Sequence, residues 1–388
     1  MANSQAEKSH TIREIEQQPA LWVKAVKQFA TEKAKMEAFL GNLEKKHENI
    51  RVIFTGAGTS AFIGETIYPS VRQSIRNRGW EAECISTTNL TAAPYLYLDA
   101  QIPTIMVSFA RSGNSPESVA AVELAEQIVK DFYEITITCN HDGALAKRER
   151  TEEEQLVLLL PDEANDKGLA MTSSYSTMML TALYLFSEKK EQFEQLVERI
   201  ADAGEKMLKA SKEIIPSLVK ESISRLVYLG SGVFEGLSRE SSLKCLELTG
   251  GSISTMYDTP LGFRHGPKSI LNKEAMVVVF LSNDSYTRKY DLDILKELYE
   301  EKNRGPLVAI SEYVDSDVSE YCDTTLTISA NQSLDDMSLA FSYVIFAQLF
   351  AYEKSLHGGI SPDNPSPDGV INRVVQGVQI YPYHEEKK

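Results

Sequence analysis

The sequence predicts an α/β protein built from two homologous, doubly wound parallel-sheet domains with flanking helices. Three observations carry this expectation. From Arg51 onward short β-branched runs alternate with helical stretches, the pattern of a parallel sheet covered on both faces. RVIFTGAGTSA at Arg51 can be laid on RLVYLGSGVFE at Arg225, with Gly56 over Gly230 and Gly58 over Gly232, so the chain repeats itself. Its 388 residues, 43% of them hydrophobic, suffice for two domains that each bury a core.

In chain order, residues 11 to 48 carry apolar positions at helical spacing among Glu, Lys and Gln, as in LWVKAVKQFATEKAKMEAFLGNLEKK, and suggest one or two leading helices. RVIFTG, AECIST, IPTIMVSF, EITITC and LVLLL read as strands, with AFIGETIYPSVRQSI, SPESVAAVELAEQIVKDF and SSYSTMMLTALYLF as helices between or after them. A charged helical span from Ser187 to about Ser222 precedes the second repeat. There AMVVVFLSNDS takes the place of TIMVSFARSGNS, and PLVAIS that of EITITC. The tail from Gly358, rich in Gly, Pro and Asp, reads as an extended segment lying over another surface. The expected divisions are a helical segment 1–50, a first domain 51–190, a linker helix 191–222, a second domain 223–357 and a tail 358–388.

A formal net charge of −15 argues against a nucleic-acid surface and against anionic membranes, so any anionic ligand must be held by local donors. The four cysteines, Cys84, Cys139, Cys245 and Cys322, lie far apart and suggest neither a disulfide framework nor a zinc site. The polar start MANSQAEKSH and the short apolar runs suggest no export signal and no membrane span, and a cytoplasmic location is expected. None of the six histidines is paired at metal spacing, so no metal and no cofactor are expected.

Two loops of the first repeat fall where parallel sheets bind ligands, at the carboxyl ends of strands. In GAGTSA the glycines let backbone amides approach a ligand, with Gly58, Thr59 and Ser60 at the start of a helix. The same six residues match the dinucleotide pattern GxGxxA. The next strand, however, ends in Ser86, Thr87, Thr88 and Asn89, where an acidic residue should meet a ribose, which argues against a nicotinamide cofactor. In SFARSGNSPES, Ser112, Gly113, Asn114 and Ser115 link a strand to a helix that Ser115 caps and Pro116 begins. Backbone amides, hydroxyls, the helix dipole and Arg111 would converge there, and the two loops together read as a phosphate pocket. In the second repeat Phe234 stands over Ser60 and SNDS replaces RSGNS, so only the first keeps the hydroxyl set. The second must contribute something else. There Glu240, Lys244 and Glu247 share one helix face, whether as a solvated ion-paired stripe or as a site. Arg264, a candidate for substrate binding, and His265 lie in a loop bounded by Gly and Pro, and His is the side chain whose ordinary pKa lies nearest neutrality.

Taken together, GTS at Gly58, SGNS at Ser112, the helix SLKCLEL and the loop RHGP resemble the sugar isomerase (SIS) domain family over residues 51 to about 382. TSSYSTMMLTALYLF, YDTPLGFRHGPKS and SPDNPSPDGVINRVVQGVQIYPY are most similar to its tagatose-6-phosphate ketose/aldose isomerases of the AgaS type, taken to act as galactosamine-6-phosphate deaminases. The resemblance implies flavodoxin-like domains, a sugar-phosphate substrate and a homodimer or higher homo-oligomer sharing its site between subunits. It implies that Ser60, Ser112 and Ser115 bind the phosphate, with Arg111 where a glutamine is common. Glu247 would shuttle a proton between carbons 1 and 2 beside Lys244, and His265 would open the sugar ring. Ala110 replaces a serine of the family's SxSGxT loop, leaving Ser108 as the nearby hydroxyl. Arg373 lies closest to the position of a family lysine that forms an imine, a role that a permanently protonated guanidinium does not suit. The same groups would also serve a simple aldose–ketose isomerase, and a phosphosugar-binding regulator would use the pocket alone.

Overall fold

The computed structural model describes residues 9–314, 316–329, 333–375 and 377–384. Three helices lead the chain, α1 (His10–Glu16), α2 (Gln18–Thr31) and α3 (Lys33–Lys46), where the apolar spacing suggests one or two; Gln17 and Glu32 interrupt the run. The first sheet comprises β1 (Ile50–Thr55), β2 (Trp80–Cys84), β3 (Thr104–Ala110), β4 (Phe132–Thr138) and β5 (Gln155–Leu159). Its crossovers are α4 (Thr59–Ile75), the short α5 (Thr87–Ala92) and α6 (Pro94–Tyr97), and α7 (Pro116–Ile128). After it come α8 (Ser173–Phe186) and a single 29-residue helix, α9 (Lys190–Leu218), which fills the charged span.

The second sheet repeats the plan with β6 (Arg225–Gly230), α10 (Val233–Leu248), β7 (Ser254–Asp258), β8 (Ala275–Phe280), α11 (Thr287–Glu300), β9 (Leu307–Ser311), α12 (Ser316–Glu320), β10 (Thr324–Thr327) and α13 (Asp336–His357). The spatial orders are β2-β1-β3-β4-β5 and β7-β6-β8-β9-β10, all neighbours parallel, so both sheets have the same doubly wound, flavodoxin-like order. In each, the first strand lies between the second and the third, and the loops after the first and third strands flank the point where the winding reverses. That is where such sheets bind ligands.

The repeat extends to the backbone of the first turn. A Cβ on Gly56 would lie 2.5 Å from the Ser60 carbonyl carbon, and one on Gly230 would lie 2.5 Å from Phe234 Cβ. Gly58 (φ 56°, ψ −129°) and Gly232 (φ 61°, ψ −121°) take the same left-handed conformation at the starts of α4 and α10.

The compact units are not consecutive pieces of chain. One gathers the described parts of Met1–Val23, Asp166–Ser173 and Gln195–Val370 around the second sheet, and the other gathers Lys24–Asn165, Ser174–Glu194 and Ile371–Lys388 around the first. In the first-sheet unit Ile53, Met106 and Ala110 pack on Ala121, Val122 and Ala125 of α7. In the second-sheet unit Val227, Val277 and Ala309 pack on Ile294, Leu295 and Leu298 of α11. There α13 is buried along nearly its whole length, and Asp335 caps it by accepting from Ser338 N at 2.8 Å.

Three buried or half-buried acids hold the sequence-distant pieces of the second-sheet unit together. Glu14 accepts from Lys167 N (2.5 Å) and Gly168 N, Asp166 from Thr172 N (2.9 Å) and Ser173 N (3.0 Å), and Asp363 from His10 N (2.9 Å) and Thr11 N (2.8 Å). Burial, and next the negative charge of Asp166, push the Glu14 carboxyl up to about 7. A carboxyl raised in the folded state contributes stability that is fully present below its unfolded value of 4.5 and lost as pH rises through about 7. Glu14→Gln, neutral at every pH, is therefore expected to melt higher than the parent at about pH 8, with the advantage shrinking towards about pH 5, as checked by calorimetry at both values.

Candidate active site

The first-sheet unit holds the hydroxyl-rich loops. Thr59 and Ser60 begin α4 and are buried, and Gly58 before them is exposed. Ser115 occupies the N-cap position of α7 but its side chain makes no capping bond, and Pro116 takes the first helical turn. The expected cap is thus made by position alone, and the hydroxyl is left for another partner. Ser112 Oγ accepts from Asn114 N at 3.3 Å. Arg111 is buried at 7% exposure, and one of its guanidinium nitrogens donates to the Arg373 carbonyl at 3.2 Å, while the Arg373 guanidinium donates to Asn165 Oδ1 at 2.9 Å. The tail therefore lies beside the loop, as its composition suggests. Farther on, Tyr383 packs against the α7 core and its carbonyl accepts from Gln127.

Beneath these loops are polar atoms that sequence reasoning missed. The hydroxyls of Thr55, Thr87 and Ser108 are buried and hydrogen-bond to none of the described residues. Thr55, the last residue of β1, and Ser108, two residues before the end of β3, are register partners and so share a face of the sheet, and Thr87 opens α5 three residues after β2. Of the three, only Ser108 is in the expected set. A hydroxyl at the last residue of an otherwise apolar strand, as in RVIFT, is the signal that would have revealed Thr55.

In the second-sheet unit the corresponding donors are already taken by carboxylates. Ser231 Oγ and Ser282 N donate to Asp291 at 2.8 and 2.9 Å, and Ser282 Oγ and Asn283 N donate to Asp336 at 2.5 and 2.7 Å. Burial pushes Asp291 up to about 6 and raises Asp336 as well. An internal anion thus occupies the cradle that the first repeat leaves to hydroxyls.

The helix stripe is not a solvated face. Glu240 and Lys244 are both fully buried, with the Lys244 ammonium 3.5 Å from Glu240 and 2.5 Å from Glu247, whose side chain keeps 21% exposure. One cation between two carboxylates fixes Glu247 at the last turn of α10 and leaves it the only solvent-reachable member of the three. Arg264 and His265, adjacent in sequence, part company. The Arg264 guanidinium pairs with Glu297 (2.6 Å) and Asp293 (2.8 Å) of α11, whereas His265 is exposed before Gly266, whose φ is 120°. Among the described residues no group of three or more His, Cys, Asp or Glu is placed to hold a metal ion, and no helix is long and apolar enough to cross a membrane.

Tandem α/β domains with this strand order, one carrying a hydroxyl-lined loop pair and the other a buried Lys–Glu pair, define the class. The SIS domain model matches residues 46–188 and 219–357, and the chain belongs to the SIS domain family. It is 41% identical over 374 residues to D-galactosamine-6-phosphate deaminase AgaS of Escherichia coli O157:H7, covering 96% of both chains. With the enzyme of the same name from Shewanella sp. (strain ANA-3) it shares 38% identity over 96% of this chain and 92% of that one. The crystal structure of tagatose-6-phosphate ketose/aldose isomerase from Escherichia coli superposes with a TM-score of 0.89 at 39% identity, covering 99% of each chain.

The buried ion cluster generates a stability test. Lys244→Met removes the buried cation that lies 3.5 Å from Glu240 and 2.5 Å from Glu247 and is expected to destabilise the protein by about 3 kcal/mol. Adding Glu240→Gln removes one of the two negative charges beside it and should recover much of the loss, as measured by urea unfolding of the single and double variants.

Proposed function

We propose that this protein is an aminosugar-phosphate deaminase that converts galactosamine 6-phosphate to tagatose 6-phosphate and ammonia. The observation that carries the reading is similarity along almost the entire chain to galactosamine-6-phosphate deaminases, beside the two SIS regions of this chain. The pairing of buried Lys244 with solvent-reachable Glu247, and the hydroxyl loops, support it chemically.

Ser60, Arg111, Ser112 and Ser115 are assigned to the phosphate, joined by the amides after Gly58 and by Ser108. Binding the phosphate positions the far end of the sugar for reaction, which is where such remote binding energy is useful. His265 assists ring opening by moving a proton between the ring oxygen and the anomeric hydroxyl. Its exposure and the absence of a side-chain hydrogen bond to any of the described residues suit a residue offered to another copy of the chain, in a homodimer or higher oligomer. Glu247 then takes the proton from carbon 2 of the open aldehyde and delivers it to carbon 1, passing through an enolamine. The product is an imine at carbon 2. Water adds to that carbon, the carbon–nitrogen bond breaks, and the ketose phosphate leaves with ammonia. Lys244 holds the carboxylate in place and balances its charge. Arg264, tied to α11, is assigned no contact with substrate, and Arg373 is assigned to closing the phosphate loop through its carbonyl. No step calls for a metal or an organic cofactor, and four cysteines that lie far apart in the sequence fit a reducing cytoplasm.

The name of the Escherichia coli structure favours a second reading, aldose–ketose isomerisation without loss of nitrogen, which the same base would serve. Measuring ammonia and ketose from galactosamine 6-phosphate and glucosamine 6-phosphate, with tagatose 6-phosphate isomerisation alongside, separates the two. Both products are expected from the galacto substrate, insensitive to a chelator and reduced on the order of a thousandfold in Glu247→Gln. Isomerisation without ammonia would select the second reading. Binding of both substrates with turnover of neither would make the protein a phosphosugar sensor.

A further inference from the structure

The segment after β4, residues 140–148, presses against the phosphate loop and touches each of its three central residues. Asn140 Nδ2 donates to the Ser112 carbonyl at 2.8 Å, Leu145 N to the Gly113 carbonyl at 3.1 Å, and Ala144 N to Asn114 Oδ1 at 2.8 Å. In a planar trans peptide the C=O and the following N–H point in opposite directions. Holding the Ser112 and Gly113 carbonyls on the 140–148 side therefore turns the N–H groups of Gly113 and Asn114 away from it, that of Asn114 making a long bond of 3.3 Å to Ser112 Oγ. Successive amides aimed one way make an anion-binding concavity, and Gly113 supplies the left-handed residue (φ 68°) that such a concavity needs.

The supporting segment is itself rigidly held. Asn140 receives Asp142 N on its Oδ1 at 3.0 Å, and its own N donates to Thr138 Oγ1 at 3.2 Å. A Cβ on Gly143 would lie 2.6 Å from the Ser112 carbonyl oxygen, so only glycine allows this approach. Leu145 is fully buried in the α7 core. At the far end Arg148 donates to Glu134, a fully buried carboxylate in β4, at 3.1 Å, and pairs with Glu126 of α7, the helix that the phosphate loop begins.

We infer that Asn140 is a positioning residue: with the segment that Arg148 locks onto Glu134, it orients the Ser112–Asn114 peptides and so sets the affinity for the phosphate group. This rests on the assignment of that loop to phosphate. The test titrates inorganic phosphate into the full-length protein by calorimetry and measures KM and kcat, for the parent, Asn140→Ala and Gly143→Ala, with folding checked by near-ultraviolet circular dichroism. Phosphate affinity is expected to fall about tenfold and KM to rise by a similar factor in both variants, with kcat changed less than about twofold. A general structural defect would not divide KM from kcat in this way. Unchanged phosphate affinity and KM in the folded variants overturn the inference, as does a loss confined to kcat. Should Asn140→Ala not fold, Gly143→Ala reports on the same carbonyl from a different residue. A parent that turns over its substrate yet binds no phosphate overturns the loop assignment itself, a failure distinct from the first.

Discussion

The turn from the first strand of each sheet into the following helix is the constraint on which the rest depends. Gly56 and Gly230 have no room for a side chain against the helix they face, and Gly58 and Gly232 must take a left-handed conformation that other residues resist. With the turn this tight, the helix starts directly at the carboxyl edge of the strand. Its first-turn side chains, Thr59 and Ser60 in the first repeat, are thereby set at that edge of the sheet. Loosening the turn would move the start of the helix away from that edge.

On this shared backbone the two repeats have gone different ways chemically. In the first, Ser60, Ser112 and Ser115 stand in the two loops, and the hydroxyls of Thr55, Thr87 and Ser108 are buried with no hydrogen-bond partner among the described residues, an arrangement that costs stability unless something else satisfies them. In the second, Phe234 replaces the serine and stacks with Tyr343, while Asp291 and Asp336 satisfy the donors from within. A carboxyl group that is part of the chain never dissociates from it, so in this repeat the donors are satisfied by the chain's own acids. What it offers instead is the charged row on α10, where burial makes each ion depend on its neighbours.

Much of this was legible from residue types alone. The strand and helix runs, the internal repeat at Gly56 and Gly230, the extended tail and the asymmetry between RSGNS and SNDS could all be read without coordinates. Spacing placed Lys244 and Glu247 on one face but left open whether that face was wet, because helical periodicity does not report what packs against it. Arg264 was a candidate for substrate binding, and α11, some 30 residues downstream, supplies two acids that pair with it instead. Ser115 sat at the capping position without capping, a distinction of one torsion angle.

By itself, then, the sequence determined the two doubly wound sheets, the loops that could hold an anion and the side chains available to move a proton, since these follow from local periodicity and from the chemistry of each residue. Only the tertiary structure decided that Lys244 is dry, that Thr55 and Thr87 belong beneath the cradle, and that Asn140 turns the peptides of a loop 28 residues before it. Desolvation and peptide orientation are set by groups distant in the chain, and no local pattern records them.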